Sequence, residues 1–135
     1  LTGEEGTKAM AGEKKPPITK SFGYAFEGIF TGIRKERNMK IHCTVTLLVV
    51  IAGFFFHISA IEWCICLTLF GLVMALELVN TAVEAVVDLV TKEQRPLAKI
   101  AKDTAAGAVL IAAIMAAIAG LIIFLPKGLV FLGIW

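Results

Sequence analysis

Three long apolar runs occupy most of the chain, at about residues 40–57, 61–90 and 97–125, and short polar breaks separate them. A helix needs about 17 to 25 residues to cross a bilayer. The first run is barely long enough, so we expect its helix to extend into its flanks, whereas the second exceeds the requirement and should project into the headgroup region. The pattern predicts three membrane-spanning helices.

A fourth helix is predicted ahead of the first span, over residues 20–37. Its apolar side chains recur at helical spacing, and a basic cluster follows them: Phe22, Phe26, Ile29, Phe30 and Ile33, then Arg34, Lys35, Arg37 and Lys40. Such an amphipathic helix lies in the interface of an anionic leaflet and does not span it. Residues 1–17 have no such periodicity and are interpreted as a disordered tail or an added segment, and residues 126–135, from Pro126 onward, as a C-terminal tail.

The composition supports an all-α membrane protein. Apolar residues make up 58% of the 135 positions and charged residues 18%, and the mean hydropathy is +0.83. Soluble domains have about 45 to 50% apolar and about 25% charged residues. The core of a soluble protein of this length is too small to bury so many apolar side chains.

Basic residues are concentrated before the first span and after the second, while the link at residues 57–62 has no Lys or Arg. The positive-inside rule therefore predicts that the N-terminus and the loop at 91–99 are cytoplasmic and that the C-terminus is outside. Because these basic residues lie beside membrane spans, we expect them to contact lipid headgroups and not nucleic acid.

Polar side chains break the apolar pattern of the second run along one stripe, formed by Glu77, Asn80, Thr81, Glu84 and Asp88. At about 100° per residue these positions share one face of a helix. An ionisable residue at the centre of a membrane helix costs roughly 2.5 to 3.5 kcal/mol on insertion scales. The stripe is therefore the candidate functional site, and the N-terminal half of the third run, with Lys99, Lys102 and Asp103, lies at the same level.

Small residues recur along the third run, at Ala101, Ala105, Ala108, Ala112, Ala116 and Gly120. This spacing lets membrane helices approach closely. Because three spans make a thin bundle around an acidic stripe, we expect a homo-oligomer.

Three interpretations of the stripe remain open from the residues alone. It forms a structural hydrogen-bonding ladder between helices, an ion or proton pathway, or a Mg²⁺ site completed by phosphate oxygens. Only the last also accounts for the neighbouring lysines. The chain has no Walker, dinucleotide-binding or protein-kinase motif.

One run, Glu77-Leu-Val-Asn-Thr-Ala-Val-Glu-Ala-Val-Val-Asp88, is followed by Ala101-Lys102-Asp103 and Ala108-Val-Leu-Ile111. This pattern resembles the prokaryotic integral-membrane diacylglycerol kinase family, and the resemblance extends over roughly residues 20–120. It implies a homotrimer in a bacterial cytoplasmic membrane, with one surface helix and three spans in each chain. It also implies transfer of the γ-phosphate of MgATP to a lipid alcohol.

The resemblance implies a role for individual residues. Glu77 matches the catalytic base and, with Ala106, the lipid substrate site, while Asn80 matches a group that orients phosphate or the base. Glu36 and Glu84 match the ligands of Mg²⁺. The implied nucleotide-binding residues are Tyr24, Glu36, Glu84, Glu93, Gln94, Arg95, Lys102 and Asp103. In such trimers the site is assembled between protomers.

The lipid substrate depends on the branch of the family. The segments 36–42 and 96–103 are similar to the Gram-positive branch, whose members act on undecaprenol, and His42 stands where the diacylglycerol branch has an acid. We interpret His42 as an interfacial residue or a neighbour of the nucleotide. The resemblance favours undecaprenol as the substrate, with diacylglycerol as the alternative.

Overall fold

The computed structural model describes residues 14–135, and this part of the chain is helical and contains no strand. Its helices are α1 (Ile18–Lys35), α2 (Arg37–Phe55), α3 (Ala60–Val90) and α4 (Pro96–Phe131). Of the predicted N-terminal tail, residues 14–17 are described and are not helical, and residues 1–13 lie outside the described residues. The predicted all-α fold is confirmed.

Three of these helices, α2, α3 and α4, are long and apolar enough to cross a membrane. They contain 19, 31 and 36 residues. At 1.5 Å per residue α3 is about 46 Å long, which exceeds the roughly 30 Å of a hydrocarbon core. The structure therefore contains three helices of the length and composition that the pattern predicted for spans, and α3 is longer than a hydrocarbon core is thick.

The chain turns from α1 to α2 at Glu36. We expected α1 to continue to residue 37, but Glu36 has an extended backbone (φ −95°, ψ 120°) and separates the two helices. Within the described residues its side chain makes no capping hydrogen bond to α2. The last turn of α1 is held against α3 at Gly32, where an added Cβ would lie 2.5 Å from Leu78 Cδ2. The break therefore leaves the Glu36 carboxylate available for other contacts.

The turn between α2 and α3 is tight and well capped. His57 takes a positive φ of 53°, which reverses the chain direction. The Glu62 N–H donates to Ser59 Oγ at 3.2 Å, and the Ser59 N–H donates to Glu62 Oε1 at 3.1 Å. This reciprocal capping box satisfies two backbone donors at the start of α3.

The last helix does not end before Pro126. We expected a span that stops at residue 125 and a separate tail, but α4 continues through Pro126 to Phe131. Proline removes only one backbone donor, and spanning helices tolerate this loss when neighbouring groups compensate. Beside the proline, Lys127 Nζ donates to the Ile123 carbonyl at 3.1 Å and to Glu62 Oε2 at 2.7 Å, and the second contact ties this part of α4 to α3.

Residues 31–135 form one compact unit in which α3 packs against both α4 and α2. Its apolar core lies near the Glu62 end of α3, where Ile58, Cys66 and Ile123 are buried and five partly buried residues surround them: Val49, Phe56, Trp63, Phe70 and Phe124. Gly53 permits this packing, because a Cβ there would lie 2.6 Å from the Trp63 ring. The packed core leaves the other half of α3, with the acidic stripe, to form a separate site.

Candidate active site

Glu77 is the most enclosed carboxylate of the unit, with 1% of the residue exposed. Within residues 14–135 neither of its carboxylate oxygens has a hydrogen-bond partner. An unpaired buried acid is costly, and native proteins satisfy nearly all buried polar atoms. The position of Glu77 is therefore difficult to explain by packing alone and is typical of a functional group.

A cavity of about 260 Å³ lies beside Glu77. Side chains from three helices line it: Asn38, Ile41 and His42 from α2, Glu77 and Asn80 from α3, and Ala106, Val109, Leu110 and Ala113 from α4. Ala106, which the resemblance assigned to the lipid site, thus lies in the same cavity as Glu77. Its small side chain leaves room for a ligand group.

Asn80 lies one turn from Glu77 on α3 and is also buried. Its amide Nδ2 donates to Glu84 Oε1 at 3.5 Å, whereas its Oδ1 has no partner among the described residues. The Thr81 hydroxyl, in contrast, donates to the Glu77 carbonyl at 3.0 Å. Thr81 is therefore occupied within the helix, and Asn80 keeps an acceptor free inside the site.

Two further carboxylates lie near enough to Glu77 to repel its negative charge, those of Glu36 and Glu84. Glu36 reaches this region from the break between α1 and α2, and Glu84 from two turns further along α3. In residues 14–135 no group of three or more His, Cys, Asp or Glu side chains forms a ready-made metal cage. Carboxylate and amide oxygens are nevertheless ligand types that Mg²⁺ accepts, and this ion takes few protein ligands and completes its shell with phosphate and water.

The loop between α3 and α4 forms a second cavity, of about 520 Å³. Five of the predicted nucleotide-binding residues line it: Glu93, Gln94, Arg95, Lys102 and Asp103. Within it Arg95 donates twice to Glu93 Oε2, at 3.1 and 3.2 Å, and Lys99 pairs with Asp103.

Lys102 connects this cavity to the acidic stripe. Its Nζ donates to Asp88 Oδ1 at 2.6 Å, and it also interacts electrostatically with Glu84. Charged groups therefore extend from the Glu77 cavity to the loop. Tyr24, the remaining predicted nucleotide residue, lies on α1 with an exposed ring, and its assignment stays a prediction.

An apolar groove of about 740 Å³ runs between α2, α3 and α4. It shares Ile41, His42 and Ala113 with the Glu77 cavity and extends to Phe56 and Phe124. Small residues of α4 form part of its wall, namely Ala116, Ala117, Ala119 and Gly120. The groove thus provides a hydrocarbon-lined path that begins beside the buried carboxylate.

Two residues of the site were not identified by the sequence reasoning. Asn38 was not considered, and His42 was assigned to the interface or the nucleotide. In the structure His42 Nε2 lies 3.8 Å from Glu77 Oε2, and Asn38 lines the same cavity. Their i, i+4 spacing places both on one face of α2, but nothing in the pattern of α2 indicates that this face meets Glu77.

Comparison with known proteins provides the family. The profile of the family described as prokaryotic diacylglycerol kinase matches residues 23–124. The chain belongs to this family. It is 50% identical to the undecaprenol kinase of Bacillus subtilis (strain 168) over 108 residues, which are 80% of this chain and 88% of that protein.

Two other members of the family are diacylglycerol kinases. The chain is 46% identical to that of Synechocystis over 112 residues, 82% of this chain and 64% of that protein. It is 35% identical to that of Escherichia coli (strain K12) over 101 residues, 75% of this chain and 83% of that protein. The predicted enzyme class is confirmed: the chain is a lipid kinase.

Proposed function

We propose that this chain transfers the γ-phosphate of ATP to undecaprenol, forming undecaprenyl phosphate. The observation that carries the proposal is the buried carboxylate of Glu77, which makes no hydrogen bond among the described residues and faces a cavity that joins an apolar groove. The choice of undecaprenol rests on 50% identity to an undecaprenol kinase, compared with 46% and 35% identity to diacylglycerol kinases. Diacylglycerol is the alternative acceptor.

In the proposed reaction Glu77 is the general base. Its carboxylate takes the proton of the lipid hydroxyl as the hydroxyl oxygen forms a bond to the γ-phosphorus. The bond between that phosphorus and the β,γ-bridging oxygen breaks, and ADP leaves with the electron pair. Phosphoryl transfer depends mostly on positioning and on neutralising charge, and a buried base that lines the cavity supports the positioning.

We propose that Glu36 and Glu84 hold the Mg²⁺ that accompanies ATP. The ion supplies neutralisation of the phosphate charge. Asn80 Nδ2 donates to Glu84 Oε1 at 3.5 Å and so orients Glu84; its second N–H donates to the transferred phosphate, and its free Oδ1 faces the metal ion. Glu36, Glu84 and Asn80 therefore act on the metal ion and the phosphate, while Glu77 alone accepts the proton.

The nucleotide is assigned to the loop cavity between α3 and α4. Lys102 and Arg95 supply positive charge for the phosphates, and Glu93, Gln94 and Asp103 supply polar contacts in the same cavity. Tyr24 of α1 belongs to this group by resemblance. Since Lys102 also interacts with Glu84, the phosphates are directed toward the metal ligands.

The lipid chain is assigned to the apolar groove. With the hydroxyl in the Glu77 cavity beside Ala106, the first isoprene units run between α2 and α4 toward Phe56 and Phe124. The groove is lined almost entirely by apolar side chains, so the hydrophobic effect favours a hydrocarbon there. Its small α4 residues give the chain room.

The functional unit is proposed to be a homotrimer in a bacterial cytoplasmic membrane, with α1 on the cytoplasmic surface. Many large apolar side chains of α2, α3 and α4 are exposed on the single chain, which suits burial against lipid or a second copy. The small residues of α4 favour close helix packing. The basic residues after α3 and before α2 support a cytoplasmic position for the loop cavity.

A lipid kinase assay tests this proposal. Purified protein in lipid is given ATP labelled at the γ-phosphate, with undecaprenol or diacylglycerol as acceptor, and the label in the lipid extract is measured. We expect label in undecaprenyl phosphate, less in phosphatidic acid, and none with Glu77→Gln. Glu62→Gln is the matched control, because Glu62 lies on the same helix at the packed end and glutamine also supports a capping box. An intact oligomer that labels neither lipid, or that conducts ions without ATP, would refute the kinase proposal.

A further inference from the structure

His42 occupies the junction between the two parts of the site. Its side chain lines both the Glu77 cavity and the apolar groove. Ile41 and Ala113 also line both spaces, but they are apolar, so among these shared residues only His42 offers hydrogen-bonding groups. A lipid alcohol with its chain in the groove and its hydroxyl at Glu77 must therefore place its polar end beside this imidazole.

The distance between His42 and Glu77 suits a shared ligand atom. Nε2 and Oε2 are 3.8 Å apart, which is too far for a direct hydrogen bond. Two hydrogen bonds that meet at one oxygen have lengths of about 2.7 and 2.9 Å, and their sum exceeds this separation comfortably. One hydroxyl oxygen can therefore contact both groups without moving either helix.

The chemistry of the pair is complementary to an alcohol. An ionised carboxylate only accepts hydrogen bonds, a neutral imidazole has one N–H donor, and a hydroxyl both donates and accepts. Glu77 Oε2 can accept the hydroxyl proton while His42 Nε2–H donates to the hydroxyl oxygen. Both Glu77 oxygens lack a partner in the described part of the chain, so a ligand hydroxyl supplies a missing contact.

We propose that His42 positions the acceptor hydroxyl for attack, by holding its oxygen between Nε2 and Glu77 Oε2. This inference rests on the proposed lipid kinase function and extends it. In the transfer step Glu77 takes the hydroxyl proton, the oxygen bonds to the γ-phosphorus, and ADP leaves with the electron pair of the broken bond. His42 retains its own proton throughout and acts as a positioning residue. Its hydrogen bond favours a lipid that ends in a hydroxyl over one that ends in a methyl group.

Kinetics of two His42 variants test the proposal. His42→Gln keeps an N–H donor at a similar distance from the backbone, while His42→Leu has similar volume and no donor. Loss of one hydrogen bond to the reacting group should lower kcat/KM for undecaprenol about 10-fold or more in His42→Leu. His42→Gln should recover most of this loss, and KM for ATP should stay unchanged in both.

Thr44→Val is the matched control. Thr44 is exposed on another face of α2, its hydroxyl donates to the Lys40 carbonyl at 2.8 Å, and it lines neither cavity. Its kinetics should equal those of the wild type. Equal losses in His42→Gln and His42→Leu, no loss in either, or a change confined to KM for ATP would overturn the role of His42. Failure of the wild type to phosphorylate undecaprenol would instead overturn the proposed function.

If a His42 variant does not fold, NMR of the wild-type protein tests the same proposal. The chain has only two histidines, and His57, in the turn after α2, serves as an internal reference. In protein whose two histidine rings are labelled with ¹⁵N, undecaprenol should change the NMR chemical shifts of the His42 ring nitrogens and leave those of His57 unchanged. The same polyprene without its hydroxyl should cause a smaller shift or none, and an equal shift with both lipids would contradict the proposal.

Discussion

Two carboxylates on the same helix have opposite surroundings. Glu62, in the first turn of α3, accepts hydrogen bonds from the Ser59 N–H at 3.1 Å and from Lys127 Nζ at 2.7 Å. Glu77, about four turns later, is more deeply buried and has no hydrogen-bond partner among the described residues. The acid that serves the fold is hydrogen-bonded, whereas the acid that makes no hydrogen bond and lines a cavity is available to a ligand.

The surroundings of the two acids extend this contrast. Near Glu62 the helices meet through large rings, including Phe54 and Trp63 at a centroid distance of 4.9 Å. Near Glu77 the opposite helix presents Ala106 and Ala113, and a cavity of about 260 Å³ remains. Aromatic contacts therefore join the helices near Glu62, whereas small side chains leave a cavity beside Glu77.

The largest effect is expected from Glu77→Gln, which removes the charge and the basicity of the buried carboxylate and keeps its shape. General-base catalysis contributes about 10²- to 10⁴-fold, so kcat should fall by at least about 100-fold. Binding of MgATP should be unchanged, and the thermal midpoint should rise because a desolvated carboxylate is replaced by an amide. Lipid labelling, nucleotide binding and thermal melting measure these three quantities.

The contrast with the paired acid provides the control for that experiment. Glu62→Gln should keep its activity and lose a little thermal stability, because the contact with Lys127 weakens. Loss of turnover in both variants to the same extent would mean that Glu77 is another structural acid.

Glu84→Gln should have the next largest effect. If Glu84 holds the metal ion, KM for MgATP should rise about 10-fold or more. A Mg²⁺ site usually has only one or two carboxylate ligands, so the loss of one weakens metal binding. KM for undecaprenol should change little, because Glu84 does not line the groove. Unchanged or tighter nucleotide binding by this variant would contradict the ligand role, and titration of Mg²⁺ at fixed ATP measures it directly.

A smaller and more selective effect is expected from Ala116→Phe, which fills part of the groove. Activity with undecaprenol should fall several-fold, while activity with a short alcohol such as farnesol should fall less, because a short chain leaves the far end of the groove empty. Ile122→Phe is the control, since Ile122 is exposed and lies outside the groove. Equal losses with both alcohols would place the lipid chain elsewhere.

The smallest effect on catalysis is expected at the packed end. In Gly53→Ala the new methyl group would lie 2.6 Å from the Trp63 ring, and overpacking of this kind costs about 1 to 3 kcal/mol. Thermal melting should show the loss, while activity per folded molecule stays at the wild-type level. Gly71→Ala, where an added Cβ meets nothing within 4 Å, should not be destabilised by overpacking.

Several features of the fold followed from local patterns. The three spanning helices were predicted because length and apolar content are properties of each segment alone. The burial of Glu77 and Asn80 on one face of α3 followed from helical periodicity, which the backbone fixes at about 3.6 residues per turn. The continuation of α4 through Pro126 to Phe131 did not follow, because a proline in a sequence usually marks the end of a helix, although spanning helices tolerate it.

Local sequence patterns were therefore enough to predict the three helices of spanning length, the face of α3 that carries the acids and, through the motif around Glu77, the enzyme family. Which residues face those acids depends instead on how the helices pack. Asn38 and His42 reach the Glu77 cavity, and His42 comes within 3.8 Å of the carboxylate, because α2 packs on α3 in one particular register. Periodicity within a helix is set by local hydrogen bonds, but the register between helices is set by how distant side chains fit together.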